Sequence, residues 1–184
     1  ESIARKRGVD FFFGFPSTMS YNTVYKEKYI PVSSNYYHLK LLNPFRKINI
    51  KHSFNIDLTY DPYLIESNKI IPVFNKNYYQ WRYIDNPKKY QTIQYVENNN
   101  KAIFIIRAGK WKGFNEIILL DCQFTSYDDL FVNNSFKYLE SCITRNAVFI
   151  RTFFNECSCK GRMLSKYFTI QIKSKNNIFV VKPL

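Results

Sequence analysis

Two groupings of side chains in this sequence could do chemistry. The first is 'NKNYYQWRYIDNPKKYQTIQY', Asn75 to Tyr95, where six Tyr and Trp residues stand among four basic ones. Aromatic faces stack on bases and cations neutralise phosphates. Trp81, Arg82, Lys88 and Lys89, with Lys110 and Lys112 further on, therefore form a candidate surface for a nucleic acid or another polyanion. The second grouping is 'NECSCKGR', in which Cys157 and Cys159 lie beside Lys160 and Arg162. Neighbouring cations lower a thiol pKa and favour the nucleophilic thiolate, but no histidine base is nearby in sequence. A nucleophilic cysteine enzyme is thus the thinnest of the readings.

Metal chemistry is not expected. Cys122, Cys142, Cys157 and Cys159 contain no CxxC pair, and His38 and His52 lie in another part of the chain. Cys122 and Cys142 fall in apolar runs, where a thiol is usually a small buried hydrophobe. No secretion signal precedes them, so disulfides are not expected either.

The formal net charge is +13 over 184 residues, which suits a polyanionic partner. Its distribution argues for a solvated Lys-rich surface instead: residues 1–60 carry 9 basic and 4 acidic side chains, and residues 61–184 carry 18 and 10, so neither part is a basic arm. No run of about 18 apolar residues could cross a bilayer, and no apolar leader opens the chain. The expectation is a soluble, cytoplasmic, globular protein with no membrane partner. The opening 'ESIARKRG' reads as the end of a helix, so a preceding segment is also expected.

The elements that must position these groups follow from pattern and punctuation. Phe11 to Phe15 is a short apolar run closed by Pro16, a buried strand. Ser17 to Ser20 precede a short helix, 'YNTVYKEKY', and Pro31 separates it from the β-rich 'NYYHLKLL'. Asn43 to about Phe74 is weakly patterned, as a linker would be. A helix capped by Asn75 or Asn77 and stopped by Pro87 follows, with Tyr78, Trp81 and Ile84 at helical spacing. Tyr90 to Val96, Ala102 to Arg107 and 'FNEIILLDCQF' read as three antiparallel strands, with a break at 'AGKWKG'. An amphipathic helix from Ser126, with Tyr127, Leu130, Phe131, Tyr138, Cys142 and Ile143 on its apolar face, leads to the strand 'AVFIRTFF', which requires a parallel crossover. A short helix at Lys160 to Lys166 and a hairpin of 'YFTIQIK' and 'NIFVVKP', turned at 'SKNN', complete the series.

That order, over roughly Phe74 to Leu184, resembles the GNAT acetyltransferase fold: an α+β (α/β) mixed sheet with an antiparallel meander, a parallel crossover and flanking helices. The stretch 'YYQWRYIDNPKKYQTIQYVENNNKAIFIIRAGKW' resembles the helix-to-sheet passage of bacterial family members with a 'WRY..NP' signature. The N-terminal 'GVDFFFGFPSTMSYNTVYKEKYIPV' is similar to the end of another such unit, although Ser17 stands where the family tends to have asparagine. The resemblance implies a tandem arrangement: residues 1–43 the remnant of a first GNAT-like unit, 44–73 a linker, and 74–184 a second, degenerate unit.

The same resemblance implies acetyl transfer from acetyl-CoA to an amine or hydroxyl, on a small-molecule or sugar-like acceptor. It implies Tyr25 as general acid toward the departing thiolate and makes Trp81 and Arg82 the candidate substrate-binding pair. The family holds the cofactor between two splayed parallel strands, with its pyrophosphate at a Gly-rich helix N-terminus. Here that loop is 'DCQFTSYDDL', without glycine and with Asp128 and Asp129 where an anion would sit. Residues 74–184 are therefore not expected to bind acetyl-CoA in the family manner. Transfer would belong to a longer parent, and this chain alone is expected to be inactive. A basic binding module for nucleic acid is the alternative.

Overall fold

Asn98 and Asn99 hold φ angles of 48° and 66°, and Lys112 and Gly113 hold 50° and 87°. Each pair is the centre of a two-residue hairpin turn that needs left-handed backbone at both positions, the geometry that matches the twist of the flanking strands. These turns fold the chain into β3 (Gln91–Glu97), β4 (Asn100–Trp111) and β5 (Phe114–Phe124), paired as an antiparallel meander. The computed structural model describes residues 6, 11–14, 20–48, 76–88, 90–154 and 159–183. The break expected at 'AGKWKG' is not a loop, because β4 continues to Trp111. Gly109 marks a close approach: a Cβ there would lie 3.1 Å from Glu116 Oε1 and 3.1 Å from Ile118 Cδ1.

From β5 the chain crosses through α3 (Asp129–Cys142) to β6 (Phe149–Phe153), which lies parallel to β5. The helix starts later than Ser126. Asp128 is its N-cap, with an extended backbone and a carboxylate that accepts from the Phe131 N–H at 2.9 Å, satisfying one donor of the first turn. Its buried face is Phe131, Val132, Ser135, Phe136, Leu139 and Cys142. Leu130, expected inside, is 67% exposed, because starting the helix at Asp129 fixes which residues face the sheet.

The N-terminal segments join this same sheet. β1 (Phe11–Gly14) and β2 (Ile30–Leu41) flank α1 (Tyr21–Lys26), and α4 (Cys159–Ser165) leads to β7 (Ile170–Pro183). The seven strands run β1-β7-β2-β6-β5-β4-β3. β2 lies between β6 and β7 and is antiparallel to both. The expected terminal hairpin is a single strand. Its turn signal 'SKNN' is taken up by a bulge: Ser34 pairs Ile178 and Tyr36 pairs Lys173, so four residues of β7 oppose Asn35 alone. The linker expected at 44–73 lies outside the described residues from 49 onward.

One face of the sheet packs on α3 and α4. Phe104, Phe124, Phe136, Leu139, Ile150, Leu164 and Phe168 form its centre, and Phe136 meets Tyr167 at 4.3 Å and Phe104 at 5.2 Å between ring centroids. On the other face lies α2, an α-helical turn (Lys76–Tyr79) that widens into a π-helical one (Gln80–Ile84), closed by the Asp85 N–H donating to the Gln80 carbonyl at 2.9 Å. The widening decides which aromatics go in. Tyr79 is buried, and Tyr83 stacks on it at 5.9 Å. Trp81 and Ile84, expected on the apolar face, are 64% and 48% exposed. Asn77 is inside the helix and is not its cap, while Asn75 lies outside the described residues.

Candidate functional site

The parallel pairing of β5 and β6 is short. It joins Glu116, Ile117, Ile118 and Leu119 to Phe149, Ile150, Arg151 and Thr152, and the Thr152 hydroxyl donates to the Leu119 carbonyl at 2.9 Å. Beyond that point β5 continues five residues, to Phe124, while β6 ends at Phe153. The two strands part there. The β5 side of the opening also carries a bulge, since Ile106 pairs Leu119 and Ile105 pairs Asp121, leaving Leu120 as an extra residue. The bulge keeps Cys122 and Phe124 on the core face with Leu119 and turns Asp121 and Gln123 toward α2.

Four side chains meet at this opening. The Lys160 ammonium, from the start of α4, lies 3.0 Å from Asp121 Oδ1. The Tyr79 hydroxyl, from α2, donates to Asp121 Oδ2 at 3.2 Å, and Gln123 Nε2 donates to the Tyr79 oxygen. Asp121 Oδ1 also accepts the Cys122 N–H at 2.8 Å. A backbone donor facing the gap is thereby satisfied from within the chain. Gln123 Oε1 is buried with no hydrogen-bond partner among the described residues. The ammonium of Lys160 is held well above its ordinary pKa: burial alone would lower it, but Cys122 and the Asp121 carboxylate outweigh that cost. Burial, then Asp121, pushes the phenols of Tyr79 and Tyr83 up.

These shifts carry a test. Burial first, then Asp129 and Glu140, raises Tyr167 to about 12, against an ordinary phenol near ~10. A group whose folded pKa is raised contributes stability that is complete below its unfolded pKa and is lost as pH rises through the folded one. Tyr79, Tyr83 and Tyr167 should remain protonated above the pH at which an ordinary phenol ionises. In an alkaline titration followed by tyrosinate absorbance, a late step is expected in the native protein and absent in denaturant. The denaturation midpoint should fall from about pH 10 to 12 as the Tyr167 contribution is lost, and continue to fall at higher pH as those of Tyr79 and Tyr83 are lost. A single step at the ordinary phenol pKa in the native protein would contradict the buried placement.

At the α3 N-terminus, the Asp128 carboxylate is committed to the Phe131 N–H, and Asp129 takes Lys166 at 2.7 Å. The loop from Asp121 to Leu130 has no glycine that would let a phosphate approach the backbone. Acetyl-CoA held in the expected family manner does not fit these residues, because two carboxylates stand where its pyrophosphate would be.

The residues singled out from sequence are elsewhere. Tyr25 is 64% exposed on α1, and Trp81 and Arg82 are exposed on the π-helical turn. Lys160, read as a neighbour of thiols, is engaged by Asp121. Cys157 lies outside the described residues, and Cys159 opens α4. Among the described residues no group of three or more His, Cys, Asp and Glu could hold a metal, and no helix is long and apolar enough to cross a membrane. Asp121 and Gln123 were missed, although two polar residues in the apolar run 'IILLDCQF' are a readable signal.

No family profile matches the sequence, and no curated protein does. Among solved structures, the chain is similar to a GCN5-related N-acetyltransferase from Anabaena variabilis, with a TM-score of 0.50 and 11% identity over 99% of this chain and 48% of that one. The chain thus spans about half the length of that acetyltransferase. The likeness and the strand order agree on the architecture: the chain has the GNAT-like fold, a mixed sheet with a short parallel pair at its centre.

Proposed function

We propose that this chain is a GNAT-like half of a longer acyltransferase, in which acetyl transfer from acetyl-CoA to an amine or hydroxyl takes place on another unit. On this reading residues 74–184 support the assembly or shape the acceptor site, and residues 1–43, the end of the other unit, lend β1 and β2 to this sheet. Tyr25, exposed near the start of the chain, is the candidate general acid, and Trp81 and Arg82 are candidate contacts to the acceptor. The single observation that carries the reading is the filled opening between β5 and β6. A strand parting that could receive a cofactor is closed by Lys160, Asp121 and Tyr79, beside a helix start closed by Asp128. The half-length coverage of the Anabaena acetyltransferase supports a longer parent.

Isothermal titration with acetyl-CoA tests both parts. The 184-residue chain should give no saturable heat, and the full-length protein that contains it should bind. Silence from the full-length protein would remove the acyltransferase assignment. Saturable binding by the 184-residue chain alone would overturn the division of labour.

A further inference from the structure

Several cations of this protein are already matched. Lys40, Arg151, Lys160 and Lys166 each face a carboxylate, and Arg46 faces backbone carbonyls. Lys88 and Arg107 do not: among the described residues neither side chain has an ion pair or hydrogen bond. Both line one cavity of about 490 Å³, together with Gln91 and Ala108. The sheet brings them there. Gln91 begins β3 and pairs Ile106, next to Arg107 on β4, and Lys88 ends the turn that joins α2 to β3.

We propose that this cavity binds the phosphate group of a phosphorylated small molecule, with Arg107 and Lys88 as its counter-charges. Neither cation has a carboxylate partner among the described residues, and a dianion gains more from two such counter-charges than a carboxylate does. A guanidinium offers a planar fork to phosphate oxygens, and an ammonium adds a point charge. The frame is set beforehand: Pro87 and the Lys88 N–H bond to Asn86 Oδ1 at 3.0 Å fix the turn, and Arg107 is held in the β4–β5 ladder opposite Ile118. The volume lies within the range of about 300–1,000 Å³ usual for small-molecule sites. It therefore has room for the body of a ligand as well as its phosphate. This proposal stands apart from the acyltransferase reading and survives its failure.

Inorganic pyrophosphate is the probe, titrated into the ¹⁵N-labelled 184-residue chain. Saturable amide shifts at Lys88, Gln91, Arg107 and Ala108 are expected, with a dissociation constant of roughly 1 mM. Arg107→Gln and Lys88→Gln should each weaken binding about tenfold or more, and Lys137→Gln, on the exposed side of α3, should not change it. Unsaturated shifts spread over many lysines, or equal affinity in Arg107→Gln, would overturn the site. So would a short single-stranded oligonucleotide that binds with a salt slope of many phosphates and equal loss from Lys110 and Lys112 substitutions, which would mark an extended polyanion surface.

Discussion

Replacing Glu116 by Leu while Arg151 remains is expected to destabilise the protein by about 3–5 kcal/mol, because it strands a buried guanidinium. The pair is bidentate: Arg151 Nε meets Glu116 Oε2 at 2.7 Å and its NH2 meets Oε1 at 2.6 Å. The Glu116 side chain is 1% exposed and that of Arg151 16%. The guanidinium is also stacked, 4.7 Å from the Tyr37 ring centroid and 5.8 Å from that of Trp111. Its pKa is raised, chiefly by the hydrogen bonds to Glu116, and an arginine does not shed its charge when its partner is lost. The double replacement Glu116→Leu with Arg151→Met should recover most of the loss, since a buried pair exchanged for apolar residues of similar volume is often neutral. Guanidinium chloride unfolding of the four proteins in the cycle measures this directly. Equal stability of wild type and Glu116→Leu would show that the pair is solvated and not buried.

The second large effect is expected at Arg46. This residue falls in the segment that sequence patterning gives to a linker, yet it is 8% exposed. Its Nε donates to the Glu140 carbonyl at 3.2 Å, and NH1 to that of Asn43 at 3.0 Å. NH2 reaches the carbonyls of Ile143, at 3.3 Å, Thr144 and Ala147. The last turn of a helix leaves carbonyls without partners, and a cation there also meets the negative end of the helix dipole. Arg46 thus ties the chain after β2 to the end of α3. Arg46→Leu should cost about 3 kcal/mol, the scale for losing charge-assisted hydrogen bonds at partly buried groups. For a domain of this size that is a melting temperature lower by roughly 6–12 °C. Arg46→Lys should recover less than half, because a single ammonium cannot span carbonyls arranged around a planar fork. Full recovery by lysine would show that charge alone matters.

The meander, the crossover and the existence of the four helices among the described residues were legible in sequence because each rests on local pattern. Hairpin centres announce themselves through Asn98, Asn99 and Gly113, and the apolar run of β5 through Ile117 to Leu120. What was not legible depends on partners distant in sequence. 'SKNN' carries the chemistry of a turn, and only the presence of β2 as a neighbour makes it a bulge within one strand. Trp81 and Tyr79 look equally apolar on a helical wheel. A widened turn, set by packing on the sheet, buries one and leaves the other in water. A polar Asp121 in an apolar run is legible, but its role is not, because nothing local says that β6 stops short of it; Arg46 is not legible because most of its acceptors lie about a hundred residues away.

The place of β2 in the sheet sets a schedule for synthesis. Tyr36 to Leu41 take their partners from 149–153 and 170–173, so β2 leaves the ribosome more than a hundred residues ahead of both its neighbours. At about 5–20 residues per second, several seconds pass in which the strand has no edge to join. Its contacts are among the most non-local in the chain, and such pairings close late. The nascent chain must therefore carry β2 without these two partners for more than a hundred residues of synthesis, and the interval ends only when β6 and β7 arrive on either side of it.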